Sequence, residues 1–219
     1  MVTGRERVSM KICYEYSHLN GKEYLQVHCP DELNEIYNVI QCVNGEEWKR
    51  SSDKSKNRIA VNNGKPYAKV YDQKKINEHF KKLFREHGWE RKLYKYFATP
   101  DEYVAQSIMH LPPDKAKEEI LANHLIPYSR RNETDFFKNK IAVEVQFGKY
   151  SFVAYDFFVK HMAFFISRDI NVGVEIIPTD KMLQSMDSGP ANYEGEIFNL
   201  YRQGRNTPAV PLWVLGVEP

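Results

Sequence analysis

The fold of this 219-residue chain is decided by Asn132–Tyr150, NETDFFKNKIAVEVQFGKY. Two short apolar segments in it flank the polar run Lys138-Asn139-Lys140, which is typical of a tight turn. Side chains alternate between the two faces of a strand, so Glu144 and Gln146 share one face and the apolar residues around them point to the other. The stretch therefore predicts a β-hairpin with one polar and one apolar face.

A tight turn in this hairpin would bring Asp135, from the first strand, alongside Glu144 of the second. Two carboxylates a few ångströms apart, with a backbone carbonyl nearby, form a hard-oxygen site that suits Mg²⁺. Such an ion activates a water and neutralises charge on a phosphodiester, whereas without it the carboxylates repel each other and a phosphate. The same spacing also fits a solvent-facing sheet edge, so the pattern alone leaves both interpretations open.

Strands and helices alternate along the rest of the chain, which is typical of an α/β fold with a central mixed β-sheet flanked by helices. We expect one domain, 1–219. Its segment 44–70 is rich in Gly, Asn, Ser and Lys and predicts a flexible loop or a loose hairpin. Apolar spacing predicts strands over 10–16, 91–97, 172–177 and 211–217, and helices over 22–28, 72–87, 151–166 and 193–201.

Composition excludes several classes of protein. Hydrophobic residues make up 42%, charged residues 27% and aromatic residues 13%, which is incompatible with a disordered or collagen-like chain. No apolar run reaches the roughly 18–20 residues of a membrane span, and the first residues lack the pattern of a secretory signal. The three cysteines form no CxxC motif. We therefore expect a cytoplasmic protein without membrane contact, whose thiols stay reduced.

The distribution of charge is uneven. The net charge is only +2, but the segment 45–97 holds 15 Lys and Arg against 7 Asp and Glu. Such a concentration of positive charge can face a polyanion, or it can form an ordinary solvated surface.

Other sequence motifs are scarce. The chain contains no GxGxxG, GxxxxGK[ST], GxSxG or HExxH motif. The segment 151–166 is apolar on nearly every side of a helix, so we expect it to be buried in a core or an interface. We expect His161, within it, to be a buried structural residue.

The run TDFFKNKIAVEVQFGKYSFVAYDFFVKHMAFF, 134–165, resembles the catalytic core of type II restriction endonucleases of the BglII and BamHI group, in the PD-(D/E)xK superfamily. The resemblance extends through YSHLNGKEYLQVH, VGVEIIP, YEGEIFN, RQGR and PAVPL, and is weakest over the first eight residues and the segment 44–70. It implies a restriction-endonuclease-like core that binds double-stranded DNA and uses Mg²⁺.

The resemblance also implies roles for individual residues. Asp135 and Glu144 fall at the metal-binding carboxylates, and Gln146 falls where most members of the superfamily have lysine. Neutral Gln orients a water but cannot act as its base.

The resemblance also implies residues that contact DNA. Lys149 falls at a position that contacts bases in the major groove, and its alternative role is a phosphate contact. Ser188 falls at a second base-contacting position, and its alternative is a plain loop serine. Glu119 and Asn123 are candidates for a further active-site group, and Arg202 and Arg205 could bind phosphates or the protein's own carboxylates.

The implied protein is a homodimer that cuts a palindrome with a GATC centre, purine-GATC-pyrimidine, after the first base to leave a 5′ overhang. The helix 151–166 would lie at the dimer interface or in the core of one subunit. The flexible loop region 44–70 would contact DNA, and the ordering of Lys49–Arg58 on DNA stays open. Two other functions remain open at this point. One is a DNA-repair or structure-specific nuclease of the same fold, and the other is a DNA-binding module that does not cleave.

Overall fold

The computed structural model describes residues 9–51, 69–148, 151–186 and 189–219. Its centre is a five-stranded sheet in the order β1-β9-β8-β7-β6, in which β7, β8 and β9 run parallel and the two edge strands run antiparallel. The pairs β2–β3 and β4–β5 form two further ribbons. The strands are β1 (Lys11–His18), β2 (Lys49–Ser51), β3 (Lys69–Tyr71), β4 (Leu93–Ala98), β5 (Tyr128–Glu133), β6 (Phe136–Lys138), β7 (Ile141–Val145), β8 (Val172–Pro178) and β9 (Leu212–Glu218).

Helices cover both faces of the sheet, which confirms the predicted α/β class with a mixed sheet flanked by helices. A π-helical turn, Asp156–Lys160, joins two short α-helices, so 151–166 is one continuous helical segment. The helices are α1 (Gly21–His28), α2 (Pro30–Cys42), α3 (Gln73–Glu86), α4 (Glu102–Ile108), α5 (Pro113–Ala122), α6 (Ser151–Tyr155), α7 (His161–Ile166), α8 (Asp180–Leu183) and α9 (Tyr193–Gln203), with a 3₁₀ turn at Gly45–Trp48.

The two faces of the sheet differ in chemistry. On one face, alternate residues of the three central strands are large and apolar and form a core with α1, α2 and α3. On the other face, Ala142 and Glu144 of β7 lie in register with Gly173 and Glu175 of β8. This second face packs against the segment 151–166 and α9. Polar side chains are therefore buried where that segment crosses β7 and β8.

The β6–β7 hairpin is held in place by ion pairing at its turn. The Lys138 ammonium donates to both carboxylate oxygens of Glu35 on α2, each at 2.8 Å, and to the carbonyl of His87 at 2.9 Å. The Trp89 indole donates to the same carboxylate at 2.8 Å. Since the Glu35 carboxylate binds both Lys138 and Trp89, the hairpin is fixed against α2 and the end of α3. The side chains of β6 and β7 are fixed with it.

The sequence predicted most of these elements, with two corrections. The strand β5 was not predicted, because its sequence, YSRRNE, is largely exposed and lacks an apolar face. The segment 151–166 contains a π-helical turn rather than a uniform α-helix. Its inner side is buried against the sheet and its outer side is half-exposed in the single chain, with Phe152 47% and Ile166 49% exposed, so both the core and the interface predicted for it stay open. Most of the segment 44–70 lies outside the described residues; its described ends pair as β2 and β3.

Across the described ranges, no helix has the length and apolar character needed to cross a bilayer.

Gly173→Ala tests the close contact between β8 and the segment 151–166. An added Cβ would lie 2.6 Å from Nδ1 of the buried His161 ring, closer than van der Waals contact allows. We expect the free energy of unfolding to fall by about 1–3 kcal/mol in urea titrations, as for overpacked cores. Gly189→Ala, whose added Cβ meets no described atom within 4 Å, is the control and should leave stability unchanged. Equal stability of the two variants would contradict this packing.

Candidate functional site

Asp135 and Glu144 lie side by side at the edge of the central sheet. The antiparallel register pairs Phe136 with Val143, so the residue before Phe136 stands opposite Glu144. The Asp135 amide donates to Glu144 Oε2 at 3.3 Å, and the Val145 amide donates to Asp135 Oδ2 at 3.3 Å. The structure thus brings the two predicted carboxylates together on one face of the hairpin. Asp135 is half-buried, whereas Glu144 is fully buried.

Two residues of the π-helical turn complete a buried polar network above Glu144. The Lys160 ammonium lies 2.8 Å from Glu144 Oε2 and 2.6 Å from Asp156 Oδ1. Gln146 Nε2 donates to the other oxygen of Asp156 at 2.8 Å. The four side chains therefore form a chain in the order Glu144–Lys160–Asp156–Gln146, which joins the end of β7 to the helical segment above it.

A second buried pair lies next to this network. Glu175 is in register with Glu144 on the neighbouring strand, and its Oε1 lies 3.0 Å from Nε2 of His161. Both residues are fully buried. The absent side chain of Gly173 gives the His161 ring its space against β8. This pair fixes the first residue of α7 to the sheet and thereby sets the position of the preceding Lys160.

Burial and charge together perturb the ionisation of this cluster. Burial raises the pKa of Glu144 well above its ordinary range; Lys160 opposes the rise, and the charges of Asp135 and Asp156 add to it. Burial by itself would lower the pKa of Lys160, but the carboxylates of Glu144 and Asp156 outweigh it and raise that pKa. We therefore assign a charged ammonium to Lys160, which compensates the carboxylates that it contacts.

The Glu175–His161 pair is compensated less, because Lys160 opposes the rise in the Glu175 pKa without a hydrogen bond to that carboxyl group. Burial, followed by the charges of Asp156 and Glu144, raises the pKa of Glu175 well above its usual range. Burial, followed by the Lys160 charge, lowers the pKa of His161 to about 3, so its ring is neutral near neutral pH. A buried carboxyl group beside a neutral imidazole favours the protonated acid.

A cleft of about 440 Å³ opens beside Asp135. Its lining includes Lys74, Glu78 and Lys81 of α3, together with Arg91 and Gly148. The cleft is accessible from the surface and bears several cationic side chains next to a carboxylate. An anionic chain could therefore approach the carboxylate pair from this side.

The donor set for a cation is small. Among the described residues, no three His, Cys, Asp or Glu side chains come together as a metal site. The oxygens of Asp135 and Glu144 are the available pair, and Oε1 of Glu144 is buried without a hydrogen-bond partner in the described part of the chain. An all-oxygen pair with one unsatisfied carboxylate oxygen fits a hard divalent cation that retains water ligands.

Several predicted residues lie elsewhere. Lys149 and Ser188 are outside the described residues, as are the residues 52–58 of the predicted DNA-contacting loop. Glu119 and Asn123 are exposed on α5 and at its end, where Asn123 Nδ2 donates to Glu119 Oε1 at 3.2 Å. Neither has a contact with Asp135 or Glu144 in the described structure. Arg202 is exposed at the end of α9 and donates to Asn199 at 2.6 Å.

Three members of this cluster were not predicted from the sequence: Asp156, Lys160 and Glu175. A signal was present for each. Asp156 and Lys160, four residues apart, are the only Asp, Glu, Lys or Arg residues within 151–166. Glu175 interrupts the otherwise apolar strand VGVEIIP. A charged residue in a segment that must be buried requires a partner, and this requirement could have directed attention to them.

Comparison with known proteins identifies the family. A family model described as restriction endonuclease BglII/BglIII matches residues 14–217. The chain belongs to this family. It is therefore a restriction endonuclease, a site-specific deoxyribonuclease. No curated protein matches it.

Two crystal structures of BglII share the fold. BglII complexed with a DNA 16-mer has a TM-score of 0.56 and 16% sequence identity, over 96% of this chain and 78% of the BglII chain. Free BglII has a TM-score of 0.53 and 15% identity, over 95% and 78% of the two chains. At these identities the likeness concerns the fold, and the observed mixed sheet flanked by helices agrees with it.

Lys160→Met tests whether the network depends on one ammonium. The Lys160 side chain is 11% exposed, and its loss leaves two carboxylates buried without a counter-charge. We expect the free energy of unfolding to fall by about 3–5 kcal/mol, as measured in urea. Lys138→Met removes the ion pair with Glu35, in which the Lys138 side chain is 24% exposed. This variant should lower the free energy of unfolding by only about 1 kcal/mol. A Lys160 variant no less stable than the Lys138 variant would contradict the assigned role.

Glu175→Gln tests the raised pKa of Glu175. A carboxyl group whose pKa is higher in the folded state contributes most to stability below its unfolded pKa, near the ordinary 4.5, and this contribution is lost as the pH rises. The variant should therefore gain stability relative to the wild type as the pH rises above about 5, by at most about 1.4 kcal/mol per pH unit. Urea unfolding of both proteins measures this difference, and a difference independent of pH would refute it.

Proposed function

We propose that the protein is a Mg²⁺-dependent type II enzyme that hydrolyses phosphodiesters of duplex DNA at a palindrome with a GATC centre. The observation that carries the proposal is the pairing of Asp135 with Glu144 beside an accessible, cation-lined cleft. In a chain of the BglII/BglIII family, this is the arrangement that phosphodiester hydrolysis requires. It also agrees with the PD-(D/E)xK pattern, which we propose for Asp135, Glu144 and Gln146.

Asp135 and Glu144 would hold the Mg²⁺. Two protein carboxylates suffice because Mg²⁺ usually keeps several waters and substrate oxygens as ligands. When bound, the ion would neutralise charge on the phosphate and lower the pKa of a water. Gln146 would orient that water and, being neutral, would leave its proton to another acceptor.

Duplex DNA is the proposed partner. The likeness of fold to BglII complexed with a DNA 16-mer supports it, as does the excess of Lys and Arg over 45–97. These residues would supply the salt-dependent affinity for the backbone, which carries no sequence information. The cleft places Lys74, Lys81 and Arg91 of this segment next to Asp135, where the cut strand would pass.

Recognition of the sequence is assigned to Lys149 and Ser188. Lysine donates to O6 and N7 of guanine in the major groove. Lys149 is the next residue in the sequence after Gly148, which lines the cleft, and this adjacency supports the proposal. We also propose that, within the family, the run 134–165 resembles BstYI, and this resemblance supports purine-GATC-pyrimidine, cut after the first base to leave a 5′ overhang.

The proposed active form is a homodimer, since a palindrome is read by two subunits related by a two-fold axis. The segment 151–166 offers a surface for it: Phe152, Tyr155, Val159 and Ile166 follow one another at helical spacing and are 41–49% exposed. An apolar cavity of about 350 Å³ continues this surface towards α4 and α5. Contiguous exposed apolar surface of this kind marks protein interfaces.

Digestion of plasmid DNA in Mg²⁺ tests the function. The wild type should yield discrete fragments whose sequenced ends lie at GATC. Glu144→Ala should reduce cleavage roughly a thousandfold or more, because it removes a cation ligand worth several kcal/mol, while specific binding measured in Ca²⁺ persists.

The control for this experiment is Glu86→Ala, which removes an exposed carboxylate of α3 and should cut at the wild-type rate. Nicking that follows DNA structure rather than sequence would favour a repair nuclease. Tight binding without cleavage by the wild type would favour a binding module. Unchanged cleavage by Glu144→Ala would reject the assignment of the site.

Val159→Glu tests the dimer surface. A carboxylate placed in an apolar interface is costly to bury, so the variant should sediment as a monomer and lose double-strand cleavage. Val27→Glu is the control, because Val27 is an exposed valine of α1, 72% exposed. Analytical ultracentrifugation compares both with the wild type. A dimeric Val159→Glu variant would place the interface elsewhere.

A further inference from the structure

Gln146 has a fixed partner on one side only. Its Nε2 donates to Asp156 Oδ2 at 2.8 Å, and its carbonyl oxygen makes no hydrogen bond with the described residues. Asp156 is 1% exposed and its other oxygen binds the Lys160 ammonium at 2.6 Å. The contact between Gln146 and Asp156 is therefore shielded from water and held in position by an ion pair.

The chemistry of the partners decides which end of the Gln146 amide faces Asp156. A carboxylate has only acceptors and an ammonium only donors. With Lys160 on one oxygen of Asp156, the other oxygen must accept, and the NH₂ group of Gln146 is the donor that satisfies it. The carbonyl oxygen of the same amide is consequently turned away from Asp156.

We propose that Asp156 and Lys160 are positioning residues that present an acceptor, the Gln146 carbonyl oxygen, to the side of the reacting phosphate. This inference rests on the proposed function. An acceptor there can take a hydrogen bond from the attacking water or contribute an oxygen to the cation, whereas an NH₂ group could do neither. The Lys160 ammonium holds Asp156 for this purpose and binds Glu144 with the same group, so one cation orients both Glu144 within β7 and Gln146 just after it.

The backbone fixes these positioning residues independently of Gln146. The π-helical turn closes with a hydrogen bond from the His161 amide to the Asp156 carbonyl. The His161 side chain is in turn bound to Glu175 of β8. The turn that contains Asp156 and Lys160 is therefore attached to the sheet through the following residue, His161, which contacts Glu175 of β8. Such turns are rare within helices and occur often at functional sites.

An exchange of partners tests the proposed orientation. In Gln146→Glu, two carboxylates face each other, and we expect the single-turnover cleavage rate to fall about 10–100-fold. In the double variant Gln146→Glu/Asp156→Asn, the new amide at position 156 accepts from Lys160 through its oxygen. Its NH₂ group donates to the new carboxylate at position 146. The other oxygen of that carboxylate again faces the site. The double variant should recover at least about tenfold of the lost rate. Asp156→Asn alone allows the Gln146 amide to turn over, and its rate should fall.

The thermal midpoint of the metal-free protein is the second measurement. It should fall in Gln146→Glu and recover in the double variant, whether or not DNA is cut. Gln106→Glu makes the same change at an exposed amide that donates to Glu102 at 3.3 Å, and should alter neither rate nor midpoint. If Gln146→Glu does not fold while the double variant does, that recovery supports the contact.

Two results would overturn the inference. One is a Gln146→Glu variant with the cleavage rate and thermal midpoint of the wild type. The other is a double variant whose cleavage rate and thermal midpoint are both no higher than those of Gln146→Glu. A wild type that leaves DNA uncut would instead defeat the proposed function, and the thermal comparison would still decide the orientation of Gln146.

Discussion

The site depends on one buried ammonium group. Lys160 lies among the carboxylates of Glu144, Asp156 and, nearby, Asp135 and Glu175, and it contacts the first two directly. Ionised carboxylates removed from water cost several kcal/mol each unless a counter-charge is close. The conformation of Glu144 and the orientation of Gln146 both follow from this single cation. Lys160 therefore holds the Glu144 side chain beside Asp135.

Because side chains alternate along its strands, the central sheet has one apolar face that packs into the main core and one face that carries the polar residues of the site. Ile141, Val143 and Val145 point into the main apolar core, and Ala142 and Glu144 point to the opposite face. A strand buried on both sides is stable enough to carry one charged residue without losing its register. The parallel pairing with β8 then aligns Glu175 with Glu144, and Gly173 leaves space for the His161 ring that holds the helical segment down.

The local parts of the site were predictable, and the partners from distant segments were not. Asp135 and Glu144 are neighbours because a short hairpin has few possible registers, and the alternation of side chains fixes their common face. Asp156 and Lys160 lie on a helical segment whose rotation about its own axis depends on a π-helical turn and on the contact of His161 with Glu175. The spacing of four residues allows Asp156 and Lys160 to contact each other, but it does not indicate which strand they would face.

By itself, the sequence determined the mixed α/β class, the hairpin that carries Asp135 and Glu144, and a resemblance that the family comparison confirms at the level of the BglII restriction endonucleases. These features follow from local periodicity and turn chemistry, which act over a few residues. Only the tertiary structure decided that Lys160 neutralises Glu144 and that Asp156 orients Gln146. Such contacts depend on how a helix is rotated and placed on a sheet, and that placement is set by packing and charge compensation across the whole described fold.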